Sequence, residues 1–103
     1  LLETEFSKVK ILSINPNQML SMQMHKYRSE TWYVIQGKPT VTIGDKIIEL
    51  VKGESISIDA NEKHRVQNFG DEVIEIIEIQ TGSYFGEDDI VRFEDIYGRK
   101  DFH

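Results

Sequence analysis

The sequence contains no cysteine, which excludes disulfide bonds, cysteine-ligated zinc and thiol catalysis. It also lacks a basic run, and its 12 lysines and arginines are outnumbered by 18 aspartates and glutamates, for a formal net charge of −6. An acidic chain of this kind is a poor candidate for binding nucleic acid or an anionic membrane. No apolar stretch approaches the roughly 18 residues that a membrane-spanning helix needs. We therefore expect neither a nucleic acid nor a membrane as a partner.

The start of the chain lacks the features of a signal peptide, because no positively charged segment is followed by an apolar run. We therefore predict a cytoplasmic protein. The length of 103 residues suits one domain, and residues 1–103 are predicted to form it. The first residue is Leu1 rather than methionine, which leaves room for sequence upstream, including a whole further domain.

Short runs of β-branched and aromatic residues, separated by turn signals, predict an all-β fold. The predicted strands are Lys8–Ile14, Met19–His25, Thr31–Gln36, Thr40–Ile43, Lys46–Val51, Ser55–Ile58, His64–Phe69 and Glu72–Gln80. No segment before Gly82 has the apolar period of a long helix. This spacing of strands favours a sandwich or small antiparallel barrel over residues 6–80. Residues 81–103 are predicted to form an irregular arm, with room for one helical turn, across the barrel.

The second predicted strand alternates strictly in polarity. Leu20, Met22 and Met24 lie on one face, and Gln23 and His25 belong to the other. In one interpretation the Leu/Met face is in the core and the polar face is in water. In the other, Gln23 and His25 point into a polar cavity, and the methionines are covered by a neighbouring segment or a second subunit. The alternation by itself does not decide between them.

Metal chemistry connects this strand with other parts of the chain. A divalent cation needs three or four converging nitrogen or oxygen donors, because burying its charge without them is too costly. A rigid strand can present two donors at alternate positions, such as Gln23 and His25. Glu30 follows across a turn and can return to the same end of the barrel. Of the three histidines, His103 is terminal, so His64 is the remaining internal candidate.

Two stretches match the motifs of a known family. Residues 25–37, with Glu30 and a closing glycine, resemble the first cupin motif. Residues 53–68, which contain His64, resemble the second cupin motif, with Asp59 and Asn61 at the usual proline and glycine positions. Two motifs in the right order are a far more specific signal than either alone. The resemblance implies an all-β cupin fold, a double-stranded β-helix of the jelly-roll type.

The resemblance extends to one branch of the cupins. The chain is similar, from about residue 12 to residue 99, to the isomerase domain of type II phosphomannose isomerases. The residues that carry this similarity are Leu20–His25, Arg28, Glu30, Trp32, Lys63–Arg65 and Gln80–Asp95. In bifunctional members this domain follows a mannose-1-phosphate guanylyltransferase domain. The chain has no glycine-rich nucleotide-binding segment, so we predict that it does not transfer nucleotides.

This resemblance implies a metal-dependent enzyme that interconverts mannose 6-phosphate and fructose 6-phosphate. It implies one divalent metal ion, expected to be zinc, with ligands at Gln23, His25, Glu30 and His64. Two positions depart from the family pattern. Tyr27 replaces the second histidine of His-x-His, and Thr31 replaces the histidine that commonly precedes the tryptophan. Neutral tyrosine is a poor ligand, so losing an imidazole is expected to weaken metal binding unless Gln23 or Tyr27 substitutes.

Aldose–ketose isomerisation needs a base that moves a proton between C1 and C2, and an electrophile that stabilises the enediolate. The candidate catalytic residues are Arg92, Glu87 and Lys63, with Glu30 if it is not a ligand; none is assigned as the base. The candidate substrate-binding residues are Arg28, Arg65 and Tyr27, with Lys26 as a further cation for the phosphate. The ordinary alternatives are a salt bridge for Arg92, a solvated loop at residues 87–89, and core positions for Trp32 and Tyr33.

A second class of function stays open beside the isomerase. The chain could be a non-catalytic cupin module, with or without metal, that binds a sugar or sugar phosphate or only mediates assembly. Other cupin chemistry, such as epimerisation or iron-dependent oxygenation, is a third option. The family resemblance also implies a homodimer, for which an exposed face of Leu20, Met22 and Met24 would be suitable.

Overall fold

The computed structural model describes residues 2–3, 6–86 and 88–93. This part of the chain consists of strands, turns and loops. Among the described residues no helix is long and apolar enough to cross a membrane. The strands are β1 (Leu2–Glu3), β2 (Ser7–Ile14), β3 (Gln23–Met24), β4 (Arg28–Gln36), β5 (Thr40–Ile43), β6 (Lys46–Glu49), β7 (Ser55–Ile58), β8 (His64–Gln67), β9 (Ile74–Gly82) and β10 (Val91–Arg92).

The strands form two five-stranded sheets. The first sheet has the order β1-β2-β9-β4-β7, and the second has the order β10-β3-β8-β5-β6. Every pairing is antiparallel, and most neighbours in a sheet are distant in sequence. β9 lies at the centre of the first sheet, between β2 and β4. The predicted all-β jelly-roll barrel is therefore confirmed.

The core fills one half of the space between the sheets. Alternate residues of each central strand face inward, and the buried apolar ones form one cluster: Ile14, Trp32, Val34, Val41, Ile43, Leu50, Ile58, Val66, Ile74 and Ile76. Further along β4 and β9 the inward positions become polar but remain buried, as at Glu30, Glu78 and Gln80. The apolar half supports the barrel, and the polar half holds the candidate site.

Two motif positions have a left-handed backbone that explains their residue types. Gly37 has a φ of +86°, and a Cβ there would lie 2.8 Å from Cγ1 of Ile74, so a side chain cannot be accommodated. Asn61 stands where the motif usually has glycine, and its φ is 67°. Asparagine tolerates this conformation better than other non-glycine residues. The substitution at position 61 is therefore compatible with the turn that precedes β8.

The predicted second strand is shorter than expected. Only Gln23–Met24 forms a strand, while Met19 makes an isolated bridge to Gln67. Leu20 packs against the core, and Met22 and Met24 are half-buried. The expectation of an exposed Leu20/Met22/Met24 face is therefore wrong, because Leu20 packs against the core and β10 pairs with β3 beside Met24.

The C-terminal arm contributes to the barrel instead of only crossing it. β9 continues to Gly82, and β10 pairs with β3 in the second sheet. The amide of Phe93 donates to the carbonyl oxygen of Met22 over 2.9 Å. The arm thus covers the edge of β3 with backbone hydrogen bonds, and that edge would otherwise carry unpaired groups. The remainder of the arm, residues 94–103, lies outside the described residues.

Candidate metal centre

The site begins with alternate residues of β4. Because side chains along a strand point alternately to its two faces, Arg28, Glu30 and Trp32 share the inner face, and all three are buried. Thr31 and Tyr33 share the outer face. Trp32 belongs to the core as expected. The expectation that Tyr33 is a core residue is wrong, because Tyr33 is 43% exposed.

Two histidines of the second sheet approach Glu30 from the opposite side of the cavity. His25 directly follows β3, and His64 is the first residue of β8. One imidazole nitrogen of each and one carboxylate oxygen of Glu30 all lie within 4.8 Å of one another. Gln23 is the register partner of His64 and lines the same cavity. Two separate segments of the sequence therefore bring their donor groups together inside the barrel.

Glu30 is held by two buried donors. Nε of Arg28 donates to Oε2 over 3.0 Å, and Nε1 of Trp32 donates to Oε1 over 3.0 Å. Burial raises the pKa of Glu30, and the guanidinium of Arg28 opposes that shift. Each oxygen accepts one of these bonds and keeps a further lone pair. These two bonds thus fix the orientation of the carboxylate, and its oxygens can still accept further hydrogen bonds.

The hydrogen bonds of the two imidazoles define where their lone pairs lie. Nδ1 of His64 donates to the carbonyl oxygen of Glu62 over 3.0 Å, so Nε2 of the neutral ring is unprotonated, 3.9 Å from Oε1 of Glu30. Nε2 of His25 accepts from Nη2 of Arg28 over 2.8 Å. Burial, followed by the charges of Arg28 and His64, lowers the pKa of His25 to about 4, and burial lowers the pKa of His64. At neutral pH both rings are therefore in the uncharged form that binds metals.

The cluster lies in a cavity of about 160 Å³ between the sheets. Three arginines, Arg28, Arg65 and Arg92, contribute to its lining, together with Lys10. Nη1 of Arg28 and Nε of Arg65 are buried without a hydrogen-bond partner among the described residues. Because buried donors are nearly always paired in folded proteins, these two groups mark a place suited to an anionic ligand.

Comparison with known proteins identifies the family. The sequence model described as the C-terminal domain of mannose-6-phosphate isomerase matches residues 1–95. The chain belongs to this isomerase C-terminal family.

Relatives of this family member are found in several bacteria. It is 48% identical over 92 residues to the xanthan biosynthesis protein XanB of Xanthomonas campestris pv. campestris (strain B100), covering 89% of this chain and 20% of XanB. It is 47% identical over 92 residues to the alginate biosynthesis protein AlgA of Pseudomonas aeruginosa, covering 89% of this chain and 19% of AlgA. With the mannose-1-phosphate guanylyltransferase ManC of Salmonella typhimurium the identity is 44%, over 89% of this chain and 19% of ManC. The chain thus spans about a fifth of the length of these curated relatives.

Solved structures agree on the fold of this family member. A double-stranded β-helix protein from Klebsiella pneumoniae superimposes with a TM-score of 0.79 at 22% identity, covering 89% of this chain and 78% of that one. A cupin protein from Bacteroides fragilis superimposes with a TM-score of 0.69 at 25% identity, covering 79% of this chain and 71% of that one. The cupin architecture expected from the two motifs is therefore shown by structure as well as by sequence.

The two departures from the family pattern lie outside the His25/Glu30/His64 cluster. Tyr27 is 56% exposed, and its ring contacts Tyr84 with the centroids 6.3 Å apart. Thr31 is on the outer face of β4, opposite to Glu30. The expectation that these substitutions remove an imidazole from the cluster is not supported by their positions.

Three further predicted residues have different surroundings. Arg92 lines the cavity, on the strand that pairs with Gln23. Lys63 does not belong to the described lining, and its Nζ lies 4.5 Å from the ring centroid of Phe93. Glu87 lies outside the described residues. Of the predicted catalytic residues, Arg92 is thus the one that the described structure brings to the cavity.

Sequence analysis missed two buried acids. Glu78 lines the cavity and is 4% exposed; burial and the neighbouring Glu30 raise its pKa. The signal was present in the strand, because its apolar alternation changes face after Ile76 and leaves Glu78 on the inner side. Asp89 is 7% exposed, and its carboxylate accepts from the amides of Lys26 and Tyr27 over 3.0 and 2.9 Å. Asp89 therefore anchors the arm to the loop between His25 and Arg28.

Proposed function

We propose that the chain is a metal-dependent sugar-phosphate isomerase that interconverts mannose 6-phosphate and fructose 6-phosphate. The observation that carries the proposal is the convergence of His25, Glu30 and His64 in an arginine-lined cavity of a member of this family. The donors are those of a divalent-metal site, and the arginines suit a phosphorylated substrate.

The described donor set fits a divalent ion in chemistry, and one ligand atom of each of its three residues lies within 4.8 Å of the others. Two neutral imidazoles and a carboxylate would hold the ion, with the amide of Gln23 as a fourth donor; zinc accepts nitrogen and oxygen ligands of this kind. The carbonyl of Glu62 would orient His64 in the way that outer hydrogen bonds orient metal-binding imidazoles. Such an ion would supply Lewis acidity that polarises the substrate carbonyl and offsets the charge of the enediolate.

The cavity arginines have the chemistry needed to bind the phosphate. A guanidinium presents several donors in a fixed plane and remains charged at every relevant pH. Nη1 of Arg28 and Nε of Arg65 already face a buried environment without a described partner, so an oxyanion would satisfy them at little desolvation cost. Arg92 is exposed and lines the same cavity. We assign phosphate binding to this group of arginines.

An isomerase assay tests the proposal. The protein is expected to convert mannose 6-phosphate into fructose 6-phosphate. This turnover should stop when a chelator removes the metal, and it should resume on addition of zinc, cobalt or manganese. Arg65→Leu is expected to raise KM at least about tenfold, because a charged hydrogen bond to phosphate is lost. No turnover with any of the three metals would contradict the proposed activity.

A non-catalytic cupin module that binds a sugar phosphate is the second candidate. Arg28 favours it, because its guanidinium bonds to both His25 and Glu30 and can balance the buried carboxylate without a metal. This function predicts saturable binding of mannose 6-phosphate in the presence of chelator, measured by calorimetry, and no turnover under any metal condition. Turnover that depends on metal would rule it out.

A further inference from the structure

A second buried carboxylate lines the candidate site and has no part in the His25/Glu30/His64 cluster. Glu78 lies at the inward position of β9 that follows Ile74 and Ile76, where continued apolar packing would be the ordinary choice. It is 4% exposed and lines the same cavity as the cluster. Burying a carboxyl group is costly unless it is compensated, so this position is a candidate for a function.

The described contacts hold Glu78 from one side. Nε2 of Gln80 donates to Oε2 of Glu78, and Nζ of Lys10 lies 3.8 Å from the same oxygen. Lys10 is the register partner of Glu78 on β2, and Trp32 is its register partner on β4. Both polar contacts thus use Oε2, on a carboxylate fixed at the centre of the first sheet.

The other residues considered for proton transfer have different surroundings. Glu30 accepts from Arg28 and Trp32, one bond on each oxygen, and belongs to the proposed ligand set. Lys63 packs against Phe93. Among the described residues that line the cavity, Glu78 is therefore the carboxylate that lies outside the ligand set.

We propose that Glu78 is the catalytic residue that carries the proton between C2 and C1 of the sugar phosphate. This assignment rests on the proposed isomerase function. Oε1 of the carboxylate takes the proton from C2 of the open-chain aldose. The C–H electron pair then forms the C1–C2 double bond, and the carbonyl pair moves to O1. The hydroxyl proton passes from O2 to O1, and Glu78 returns its proton to C1 as the C2 carbonyl forms. No proton or electron is gained or lost overall.

Glu78→Gln tests the assignment because it preserves the shape of the side chain and removes the base. The variant is expected to lower kcat for mannose 6-phosphate about a hundredfold or more, while KM and metal content stay within about threefold of wild type. Loss of deuterium from C2-deuterated mannose 6-phosphate to water should be abolished along with turnover. Glu75→Gln, on the outer face of the same strand, is the matched control and should retain wild-type kcat.

The outcomes separate this assignment from the isomerase function. An active wild type with an equally active Glu78→Gln variant would overturn the role of Glu78 alone. A wild type without isomerase activity would overturn both. If Glu78→Gln does not fold, Glu78→Asp is tested in its place. This variant keeps the charge, but its side chain is shorter by one methylene group. Its kcat should fall at least about tenfold with KM retained, and an unchanged kcat would overturn the assignment.

Discussion

At the scale of single residues, Arg28 is in conflict with metal binding. Nη2 of Arg28 donates to Nε2 of His25, and its Nε donates to Glu30. A metal bound by Nε2 of His25 would displace that hydrogen bond. A metal bound by Nδ1 would leave a proton on Nε2, facing the guanidinium donor. In either case Arg28 would have to move for a metal to bind, so we expect it to lower metal affinity while it balances the charge of Glu30 in the metal-free protein.

Arg28→Leu is therefore expected to bind zinc at least about tenfold more tightly than wild type, because a nearby positive charge and a competing hydrogen bond are both removed. The metal-free variant should also be less stable, since Glu30 loses its charged partner. Competition with a zinc-chelating dye measures the affinity. Arg65→Leu is the control and should change the affinity by less than about threefold. Weaker zinc binding by Arg28→Leu would contradict the inference that Arg28 opposes metal binding.

His25 predicts a pH dependence of folding stability. Its pKa is about 4 in the folded barrel against 6.5 for the free side chain, so between these values the unfolded chain takes up the proton more readily. Stability from His25 is thus present above pH 6.5 and is lost as the pH falls towards 4. The loss between pH 7 and pH 5 amounts to about 2 kcal/mol.

Urea unfolding of metal-free wild type and His25→Gln at both pH values measures this contribution. The raised pKa values of Glu30 and Glu78 act in the opposite direction, so the difference between wild type and variant is the quantity to compare. Wild type should lose about 2 kcal/mol more than the variant on going from pH 7 to pH 5. Equal losses would show that His25 is not buried in its neutral form.

At the scale of elements, the arm is joined to the site through Asp89. Its carboxylate accepts two amides in the loop that follows His25. A buried charged acceptor of this type contributes about 2–3 kcal/mol, and Asp89→Ala should lower the free energy of unfolding by that amount. Asp71→Ala, in an exposed turn, should change it by less than about 0.5 kcal/mol. Denaturant titration of both variants checks the difference, and similar values would contradict an anchoring role.

The strands also show how far the sequence predicts this fold. The hairpin Thr40–Ile43/Lys46–Glu49 follows its prediction closely, because a Gly-Asp turn and flanking alternation are local signals. β10 was missed because a two-residue strand has no periodicity; its pairing with β3 depends on a tertiary contact. The ends of β3 differ from the prediction for another reason, since alternation reports side-chain faces and not backbone pairing.

The candidate site was predictable to a similar degree. The spacing of His25, Glu30 and His64 follows from motifs, so their convergence could be expected before the structure. Asp89 could not be found this way, because the sequence does not reveal which amides its carboxylate accepts. Lys63 and Phe93 meet only through the path of the arm, which sequence patterns do not specify.

At the scale of the whole molecule, the homodimer stays a prediction. The surface that we now expect to form it is the outer face of the first sheet, and not the Leu20/Met22/Met24 face. Ile11, Ile77 and Tyr33 are register partners on the outer face of the first sheet, and Ile11 is 59% exposed. Apolar surface of this kind rarely remains in water, so we expect two chains to associate there. Sedimentation at micromolar concentration should give a dimer for wild type and a monomer for Ile11→Lys. A dimer that persists in Ile11→Lys would exclude this face.

The two sheets of the barrel contribute to one site, since Glu30 lies on the first sheet and His64 on the second. The most direct test of the proposed metal centre is elemental analysis of protein purified without chelator, beside a His64→Ala variant whose fold is checked by circular dichroism. Wild type is expected to contain about one divalent ion per chain, with zinc as the expected metal, and the variant to contain almost none. Negligible metal in both proteins, even after incubation with zinc, would contradict the metal centre.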